Sequence, residues 1–524
     1  MYCRIRSMVR QQLLARLDLR SALEAELRST TQLLPSRADQ QALVAHVDAA
    51  EGHLRAALLQ SSNAKRASVV FASKKRGSRP LNLWRLQDRV FYRALTECLK
   101  AALPEHLRSR TLYADFAQAP MAKAENHFIN VTDISSFYVY VDHDVLADEL
   151  IAQTGDYEAV TALTGLLEQV MGGRVGLPQV HEASDTLGDT YIDPVRRRLI
   201  RAGYDAYSYS DDFRIGTTTL GQARSALELC ASTARELGLV LNEAKTYTYS
   251  RERYQTTLDP QTEAEHRILQ EEQLDEAARF LGSGGKYEDA HAAIVVTNST
   301  PIDLADLAEA QTGFDTEDHE DSADSVTAEQ AGLVRRVWEI WSNSTSENHR
   351  APVVRQLLAH ALPSLGAIGE VGPANSLDDL LRSAPDLTPP IAKYLVNLAR
   401  ESPFNTVLVQ TQVESALNQD TLSEWQRIWL AHVAGNLGRL VGSTNITACL
   451  EYFVRSGSGP LVAYAAESLG RLQQGDALLL TQAVDAVSEE HRTSVLWALG
   501  QLDATQARNV ASSALDRLLV PAEA

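Results

Sequence analysis

The chain has 524 residues, of which 44% are hydrophobic, so we expect a globular protein of two or more domains. The four cysteines form no CxxC pair, and no run of about 18 apolar residues occurs, which argues against a disulfide framework, a zinc site and a membrane span. The formal net charge of -19 argues against a generic nucleic-acid binder.

The charge is unevenly distributed along the chain. Residues 61–93 contain nine Lys or Arg and a single acid, whereas residues 287–334 contain twelve acids and no Lys or Arg. Residues 1–60 are predicted to form an N-terminal helical segment, because leucines recur at helical spacing among charged residues. These leucines include Leu13, Leu14, Leu17 and Leu19.

Residues 61–285 mix strand and helix patterns and are predicted to form an α+β domain. Residues 67–93 are typical of a strand hairpin with a basic turn, followed by a helix. Residues 128–141 have strand composition around one Asp. Residues 204–216 are predicted to form a hairpin with two acids at its turn, and residues 221–238 a helix that ends at a glycine.

The C-terminal part of the chain has a different character. Residues 286–334 are acidic and rich in Ser and Thr, and they are predicted to form a linker or insertion. Residues 335–524 are helical in pattern and repeat a short motif whose leucines lie 30 to 39 residues apart, at Leu365, Leu398, Leu437, Leu469 and Leu499. Such a period is typical of stacked helical hairpins and is similar to HEAT-like repeats; an ordinary helical bundle is the alternative.

Three aspartates have the residue type that a two-metal site needs. Asp211 and Asp212 are adjacent at the predicted turn, and Asp133 lies in a predicted neighbouring strand. Adjacent carboxylates repel each other and favour a bound cation, and Mg²⁺ prefers oxygen ligands. Phosphoryl transfer to a 3′-hydroxyl uses two such ions. An isolated Asp-Asp pair, as at 378–379, is more often an exposed turn or helix start, so the surrounding motifs decide the interpretation.

Five ordered motifs across residues 67–246 resemble the fingers and palm of reverse transcriptases, including those of bacterial retroelements and defence systems. In chain order they are Lys74, Lys75, Gly77, Arg79 and Pro80 with Asp88-Arg89; Asp133-Ile134-Ser135-Ser136-Phe137-Tyr138 with His143; Gly176-Leu177-Pro178-Gln179 with Ser184; Tyr209-Ser210-Asp211-Asp212; and Leu237-Gly238-Leu239 with Asn242, Lys245 and Thr246. One departure is Val180, because that family usually has glycine after the motif glutamine.

The resemblance implies a role for each motif. It implies catalysis by Asp133, Asp211 and Asp212, with two Mg²⁺ ions (or Mn²⁺) bound by these three residues and Ile134. It implies nucleotide binding by Lys74, Lys75, Arg79, Phe137, Tyr138, Gln179 and Lys245, while Tyr209, Ser210, Pro178 and Ser184 complete the motifs. The ring at Tyr138 occupies the family's steric gate, where it would clash with a ribose 2′-hydroxyl and select dNTPs. For the basic turn, the alternative is a solvated loop. For Tyr138, the alternative is an aromatic side chain packed on a strand.

A palm followed by helical repeats is similar to the abortive-infection, phage-defence reverse transcriptases typified by AbiK. That resemblance implies an oligomeric enzyme that uses dNTPs. The cysteine usage fits a reducing cytoplasm, and the lack of a long apolar run predicts no membrane contact. The enzyme would either prime DNA synthesis on a protein hydroxyl without a template or copy a bound noncoding RNA. The alternatives are a conventional retroelement reverse transcriptase, an RNA-dependent RNA polymerase, which Tyr138 opposes, and a non-catalytic palm scaffold, which the intact aspartates oppose.

Overall fold

The computed structural model describes residues 11–29, 33–60, 63–74, 77–109, 111–258, 328–343, 352–438 and 445–521. The chain divides into two compact units. The first unit consists of Met1–Ser250, Ala384–Pro389 and Gln410–Ala524, and the second of Arg251–Ser383 and Pro390–Val409. Within the described ranges, no helix combines the length and the apolar character that crossing a bilayer requires.

The first unit begins with short amphipathic helices. Residues 11–16 are helical, and they precede α1 (Leu19–Arg28), α2 (Ala38–Val44) and α3 (Val47–Leu59). All four leucines named from the sequence pattern are buried, with at most 4% of their surface exposed. The predicted amphipathic segment is therefore helical, with its leucines in the core of the first unit.

A two-stranded hairpin follows, as the sequence pattern predicts. Strands β1 (Ser68–Ser73) and β2 (Ser78–Leu83) are antiparallel and lead into α4 (Leu86–Lys100). Helix α4 buries a continuous face of aromatic and aliphatic side chains. This helix anchors the hairpin to the core of the first unit.

The remaining N-terminal elements form a helix-covered antiparallel sheet. In chain order they are α5 (Glu105–Arg108), α6 (Tyr113–Gln118), β3 (Phe128–Asp133), α7 (Phe137–Tyr140), α8 (His143–Thr154), α9 (Tyr157–Met171), α10 (Glu182–Arg201), β4 (Asp205–Tyr209), β5 (Asp212–Thr217), α11 (Leu220–Glu236) and β6 (Tyr247–Ser250). The strand order is β4-β5-β3-β6, so β3 and β5 are central.

The strand predicted over residues 128–141 is wrong beyond Asp133, which is the last residue of β3. Ser136 has a left-handed backbone (φ 51°), and the single helical turn α7 follows it. The chain leaves the sheet here because Asp133 is already opposite Asp212 at the end of the β3–β5 ladder. Composition cannot predict this change, since Phe, Tyr and Val favour strands in general.

The C-terminal helices of the first unit form stacked pairs. They are α19 (Glu424–Gly435), α20 (Ile446–Ser456), α21 (Gly459–Leu472), α22 (Ala477–Ala486), α23 (Glu489–Leu502), α24 (Ala504–Val510) and α25 (Ala514–Leu519). Helices α19, α21 and α23 stack side by side, while α20 and α22 pack outside them. The stacking is tight, since a Cβ on Gly470 would lie 2.8 Å from the Cα of Ala498. Leu437, Leu469 and Leu499 are buried in this stack.

The second unit is helical throughout its described part. It comprises α12 (Arg251–Leu258), α13 (Ala328–Asn343), α14 (Pro352–Ala367), α15 (Gly372–Asn375), α16 (Leu377–Ser383), and the parts of α17 (Thr388–Glu401) and α18 (Pro403–Leu417) that lie within Pro390–Val409. Helices α14 and α17 approach closely, because a Cβ on Gly366 would lie 2.3 Å from the carbonyl oxygen of Tyr394. Leu365 and Leu398 are fully buried.

The predicted fold class, an α+β domain followed by an all-helical region, is confirmed. The boundaries predicted for the four segments stay predictions. Most of the acidic segment 286–334 lies outside the described residues; residues 328–334 begin α13.

Candidate active site

Three carboxylates meet at one end of the central strands. Asp133 ends β3, Asp212 begins β5 opposite it, and Asp211 lies in the connecting turn from β4. Their carboxylate oxygens come within 4.8 Å of one another. The N–H of Ile134 donates to the carbonyl of Asp211 at 3.0 Å, which fastens the turn to the end of β3. Local strand pairing therefore brings together the three aspartates that the sequence predicts.

Burial and the neighbouring carboxylates disfavour the ionised forms of Asp211 and Asp212. Burial, followed by repulsion from Asp133, raises the pKa of Asp211 to about 6. Burial also raises the pKa of Asp212, while the guanidinium of Arg214 opposes that shift. A bound cation would relieve the repulsion between these carboxylates, and three hard oxygen donors suit a divalent ion. The donor set fits the predicted metal site.

Two side chains from the segment after α11 hold Asp133. The amide of Asn242 donates to one carboxylate oxygen of Asp133 at 2.9 Å, and the ammonium of Lys245 lies 3.2 Å from the other. The backbone N–H of Asn242 also donates to the carbonyl of Asp133 at 2.7 Å. The Lys245 side chain is 63% exposed, so its ammonium can be reached from solvent. This predicted residue thus lies beside the carboxylates.

The catalytic turn has a strained backbone. Strands β4 and β5 are joined by Ser210 and Asp211, and Ser210 has φ 52°. Two-residue hairpin turns need a positive φ at the first turn residue, where glycine is usual. The N–H of Ser210 donates to the carboxylate of Asp189 on α10 at 2.8 Å. This contact holds the turn in a conformation that serine seldom adopts.

Arg214 links the carboxylates to an aromatic cluster. Its guanidinium lies 3.7 Å from Asp212, donates to the hydroxyl of Tyr113 at 3.1 Å, and lies over the ring of Phe116. Tyr209, from the predicted motif, packs edge-on against Tyr113. Arg214 partly neutralises Asp212, as Lys245 does Asp133, so Asp211 is the least compensated of the three carboxylates.

The side chain of Lys74, beside the β1–β2 turn, lies near enough to the carboxylates to interact with them electrostatically. The pKa of Lys74 is lowered by partial burial and then by repulsion from Arg79 and Lys245, while Asp211 and Asp133 oppose this shift. The Nε of Arg79 is buried, and among the described residues it has no hydrogen-bond partner. Lys75, which the sequence also assigns to nucleotide binding, lies outside the described residues.

The loop before α10 is tied to the segment after β3. The N–H of Leu177 donates to the carbonyl of Tyr138 at 2.8 Å, and the ring Nε2 of His143 bonds the carbonyl of Gly176 at 2.7 Å. Gly176 has φ 97°, which residues with a side chain rarely adopt, and a Cβ there would lie 3.0 Å from the side chain of Met171. His143, which follows the first-aspartate motif in the sequence, is thus a fastener for this loop.

The other residues of that loop differ in exposure. Pro178 is buried, Gln179 is half-buried, and Ser184 is fully buried with its hydroxyl 2.8 Å from that of Tyr92. Val180 is 37% exposed and has φ 60°. A β-branched residue at positive φ is an outlier, so Val180 holds the loop in a conformation for which glycine is suited.

The first two residues of α7, Phe137 and Tyr138, have different environments. Phe137 is 2% exposed and packs against Tyr138 and Tyr191, so its ring offers almost no surface to a nucleotide. The hydroxyl of Tyr138 donates to Asp185 on α10 at 2.5 Å and lies 2.7 Å from the hydroxyl of Ser210. Tyr138 is therefore the aromatic residue of this pair that lies beside the catalytic turn.

Sequence reasoning did not identify Asp185, Asp189 and Arg214. Asp185 and Asp189 lie four residues apart on α10, a spacing that places both on one helix face. Arg214 lies two residues after Asp212 on one strand, and therefore on the same face of the sheet. These spacings could have identified all three residues if the sequence had shown that α10 and β5 lie near the same turn.

Residues 72–283 match the family model described as reverse transcriptase (RNA-dependent DNA polymerase). No curated protein sequence matches the chain. Among solved structures, telomerase from Candida tropicalis in complex with a TWJ fragment of telomeric RNA aligns with 10% identity and a TM-score of 0.30, covering 70% of this chain and 64% of that one. Telomerase from Candida albicans, in complex with the same kind of fragment, aligns with 12% identity and a TM-score of 0.30, covering 84% and 65%. The chain thus spans less than two thirds of either structure.

Proposed function

We propose that the chain is a nucleotidyltransferase of the RNA-directed DNA polymerase type that adds dNTPs in antiphage defence, because residues 72–283 match the reverse transcriptase family model. The observation that carries the chemistry is the convergence of Asp133, Asp211 and Asp212 within 4.8 Å. Asp133 and Asp211 would hold two Mg²⁺ ions, and Asp212 would contribute less because Arg214 already lies beside it. When bound, such ions activate the attacking hydroxyl and neutralise the departing pyrophosphate.

The triphosphate would be bound between the hairpin turn and the end of the sheet. Lys74 lies close enough to Asp211 and Asp133 for their charges to influence its pKa. The buried Nε of Arg79 donates a hydrogen bond to no described residue, so it could donate to the triphosphate. A guanidinium group suits phosphate oxygens. Lys245, whose ammonium is solvent-accessible beside Asp133, would stabilise the pyrophosphate side.

Sugar selection would depend on Tyr138, and Gln179 would contact the nucleotide. The Tyr138 hydroxyl lies 2.7 Å from that of Ser210, which directly precedes Asp211. A nucleotide bound at the carboxylates would therefore place its sugar near this ring. On this proposal, Tyr138→Ala increases the use of NTPs relative to dNTPs, because removing the ring opens space for a 2′-hydroxyl. Paired kcat/KM values for one base test this, and an unchanged ratio would exclude Tyr138 as the gate.

The catalytic assignment is tested by the double variant Asp211→Ala/Asp212→Ala. We expect incorporation of labelled dNTPs with Mg²⁺ to fall by at least about 10³-fold, since metal-assisted charge stabilisation is a large term in phosphoryl transfer. The matched control is Asp378→Ala/Asp379→Ala, which removes an adjacent acidic pair from the first turn of α16. Retained incorporation by a folded Asp211/Asp212 variant would contradict the assignment.

The defence role rests on the chain's resemblance to abortive-infection enzymes, in which helical repeats follow the palm. Two features support synthesis on a captive primer, either a protein hydroxyl without a template or a bound noncoding RNA. Val180 lies in the loop beside Gln179 with a strained backbone, and the net charge of -19 disfavours binding of a free duplex. A captive primer raises effective concentration and does not need tight duplex binding.

The priming mode is tested on the product of the purified, active protein. Protein priming predicts that protease changes the gel mobility of labelled DNA, whereas priming on a noncoding RNA predicts that ribonuclease does. Activity that appears only with an added annealed primer–template would favour a conventional reverse transcriptase. Cell fractionation and light scattering of the same preparation test the proposed cytoplasmic location and homo-oligomer.

A further inference from the structure

A chain of hydrogen bonds runs behind the catalytic turn and joins three separate segments. The hydroxyl of Tyr138 lies 2.5 Å from a carboxylate oxygen of Asp185 and 2.7 Å from the hydroxyl of Ser210. A carboxylate can only accept, so Tyr138 donates its single proton to Asp185, and Ser210 donates to the Tyr138 oxygen. The direction of every bond in the chain therefore follows from Asp185.

Helix α10, which carries Asp185, also confines the ring of Tyr138. A Cβ on Gly188 would lie 3.6 Å from Cε1 of Tyr138 and 2.9 Å from Cε1 of Phe137, so both rings lie against the helix where it lacks a side chain. The Tyr138 ring also packs edge-on against Phe137, with centroids 5.3 Å apart. Helix packing thus restricts the ring face, and Asp185 fixes the hydroxyl end.

Helix α10 carries Asp185 and also binds the turn that Ser210 and Asp211 form. One helical turn after Asp185, the carboxylate of Asp189 accepts from the N–H of Ser210 at 2.8 Å. Ser210 therefore contacts α10 twice, through its backbone to Asp189 and through its hydroxyl and Tyr138 to Asp185. The distance between the Tyr138 ring and Asp211 is set by one rigid element.

We propose that Asp185 is a positioning residue that determines sugar specificity, because it holds the Tyr138 ring beside the carboxylates where a 2′-hydroxyl would clash. The inference rests on the proposed polymerase function and on Tyr138 as the gate. Without Asp185, the hydroxyl loses its charged acceptor, and the side chain gains access to other staggered rotamers. A ring that spends time in another rotamer no longer excludes ribose.

The test compares kcat/KM for a dNTP and the matching NTP in the full-length wild-type protein and in Asp185→Ala, Asp185→Asn, Tyr138→Phe and the double variant Tyr138→Phe/Asp185→Ala. We expect Asp185→Ala and Tyr138→Phe each to lower the dNTP preference by about tenfold, the scale of one charge-assisted hydrogen bond. The double variant should lower it no further, because both changes remove the same bond. Asp185→Asn should retain most of the preference, since its amide oxygen accepts the same proton.

A control variant removes an acid that lies outside this chain of bonds. Asp148 is exposed on α8, so Asp148→Ala should leave the sugar preference unchanged. Equal losses of kcat/KM for both sugars in Asp185→Ala, with an unchanged ratio, would reduce Asp185 to a structural role and overturn the inference. Should Asp185→Ala fail to fold, Tyr138→Phe removes the same bond by deleting one hydroxyl, and an unchanged ratio there also overturns the inference. An unchanged ratio in Tyr138→Ala would overturn the gate as well.

Discussion

At the scale of single residues, two side chains of the same type can have different charged neighbours and therefore different pKa values. Asp211 and Asp212 are neighbours in sequence, yet only Asp212 has a guanidinium beside it. Burial and Asp133 raise the pKa of Asp211 to about 6. A carboxyl group whose pKa is raised in the folded state binds a proton that the unfolded chain releases, so it lowers stability as pH rises.

The first residue-scale prediction is a pH-dependent stability of the metal-free protein. Between about pH 4 and pH 6 the folded state retains the Asp211 proton, so stability should fall across this window by on the order of 2 kcal/mol. Urea unfolding in the presence of a chelator at pH 5 and pH 7.5 measures the change. Asp211→Asn should flatten it, and added Mg²⁺ should restore stability at pH 7.5 but little at pH 5. Equal slopes for the variant and the wild-type protein would contradict this account.

The second residue-scale prediction concerns Val180, whose φ is 60°. A left-handed backbone costs a residue with a Cβ about 1–2 kcal/mol, and glycine loses about 0.5–1 kcal/mol through chain entropy. Val180→Gly should therefore raise the free energy of unfolding by about 0.5–1 kcal/mol. Val180→Ala is the matched control, because it keeps a Cβ and should gain less. An equal gain in both variants would show that the strain lies elsewhere.

At the scale of secondary-structure elements, buried polar contacts join parts of the first unit that are far apart in sequence. The hydroxyl of Ser68 on β1 donates to Glu490 on α23 at 2.6 Å, and Arg85 before α4 lies 2.9 Å from Glu489. Helix α21 contributes Glu467, which is 4% exposed. The basic hairpin is therefore held by the C-terminal helices as well as by the palm.

The element-scale prediction concerns this buried Glu467. It accepts from the N–H of Ala38 at the start of α2 at 2.9 Å and from the hydroxyl of Ser494, and Arg37 lies 3.8 Å away. Removing one member of a buried ionic cluster leaves charge uncompensated, so Glu467→Ala should cost about 3 kcal/mol in free energy of unfolding. Glu467→Gln keeps the hydrogen-bonding capacity and should cost less.

The same residue gives a second pH signature. Burial, followed by repulsion from Asp39, raises the pKa of Glu467 to about 7, so the protonated form is favoured in the folded protein. Wild-type stability should fall from about pH 5 to pH 7, and Glu467→Gln should remove this part of the slope. Denaturant titrations of both proteins at pH 5 and pH 8 measure it, and a steeper slope in the variant would contradict the prediction.

At the scale of the whole molecule, the first unit contains both ends of the chain. Residues 1–250 and 410–524 belong to one compact unit. The indole of Trp425 donates to the carbonyl of Leu33, and the hydroxyl of Tyr464 donates to that of Pro35 at 3.1 Å. The N-terminal helical segment is therefore packed against the C-terminal helices within this unit.

The whole-molecule prediction is that a chain ending at Leu258 will not fold as a stable monomer. Truncation would expose leucines of the N-terminal helices and leave Arg37 and Asp39 without Glu467. Thermal unfolding and size-exclusion chromatography of the truncated and full chains test this. A truncated protein with an unchanged Tm and a monomeric profile would show that the palm folds by itself.

Three features could be predicted from local sequence patterns, namely the three aspartates, the hairpin that carries two of them and the helical C-terminal region. These features depend on short-range patterns, because a two-residue turn, strand alternation and helical periodicity are encoded within a few positions. The sequence predicted that Asp133 lies on a neighbouring strand, and the structure adds the register in which it faces Asp212.

The side chains that surround those aspartates become evident in the folded chain. Phe137 is buried while the adjacent Tyr138 reaches Asp185 and Ser210, and Glu467 meets Arg37 across more than 400 residues of sequence. Local patterns carry no information about such pairs, since the contacts depend on how whole helices pack. The carboxylates could thus be predicted from the sequence, whereas the support that positions them could not.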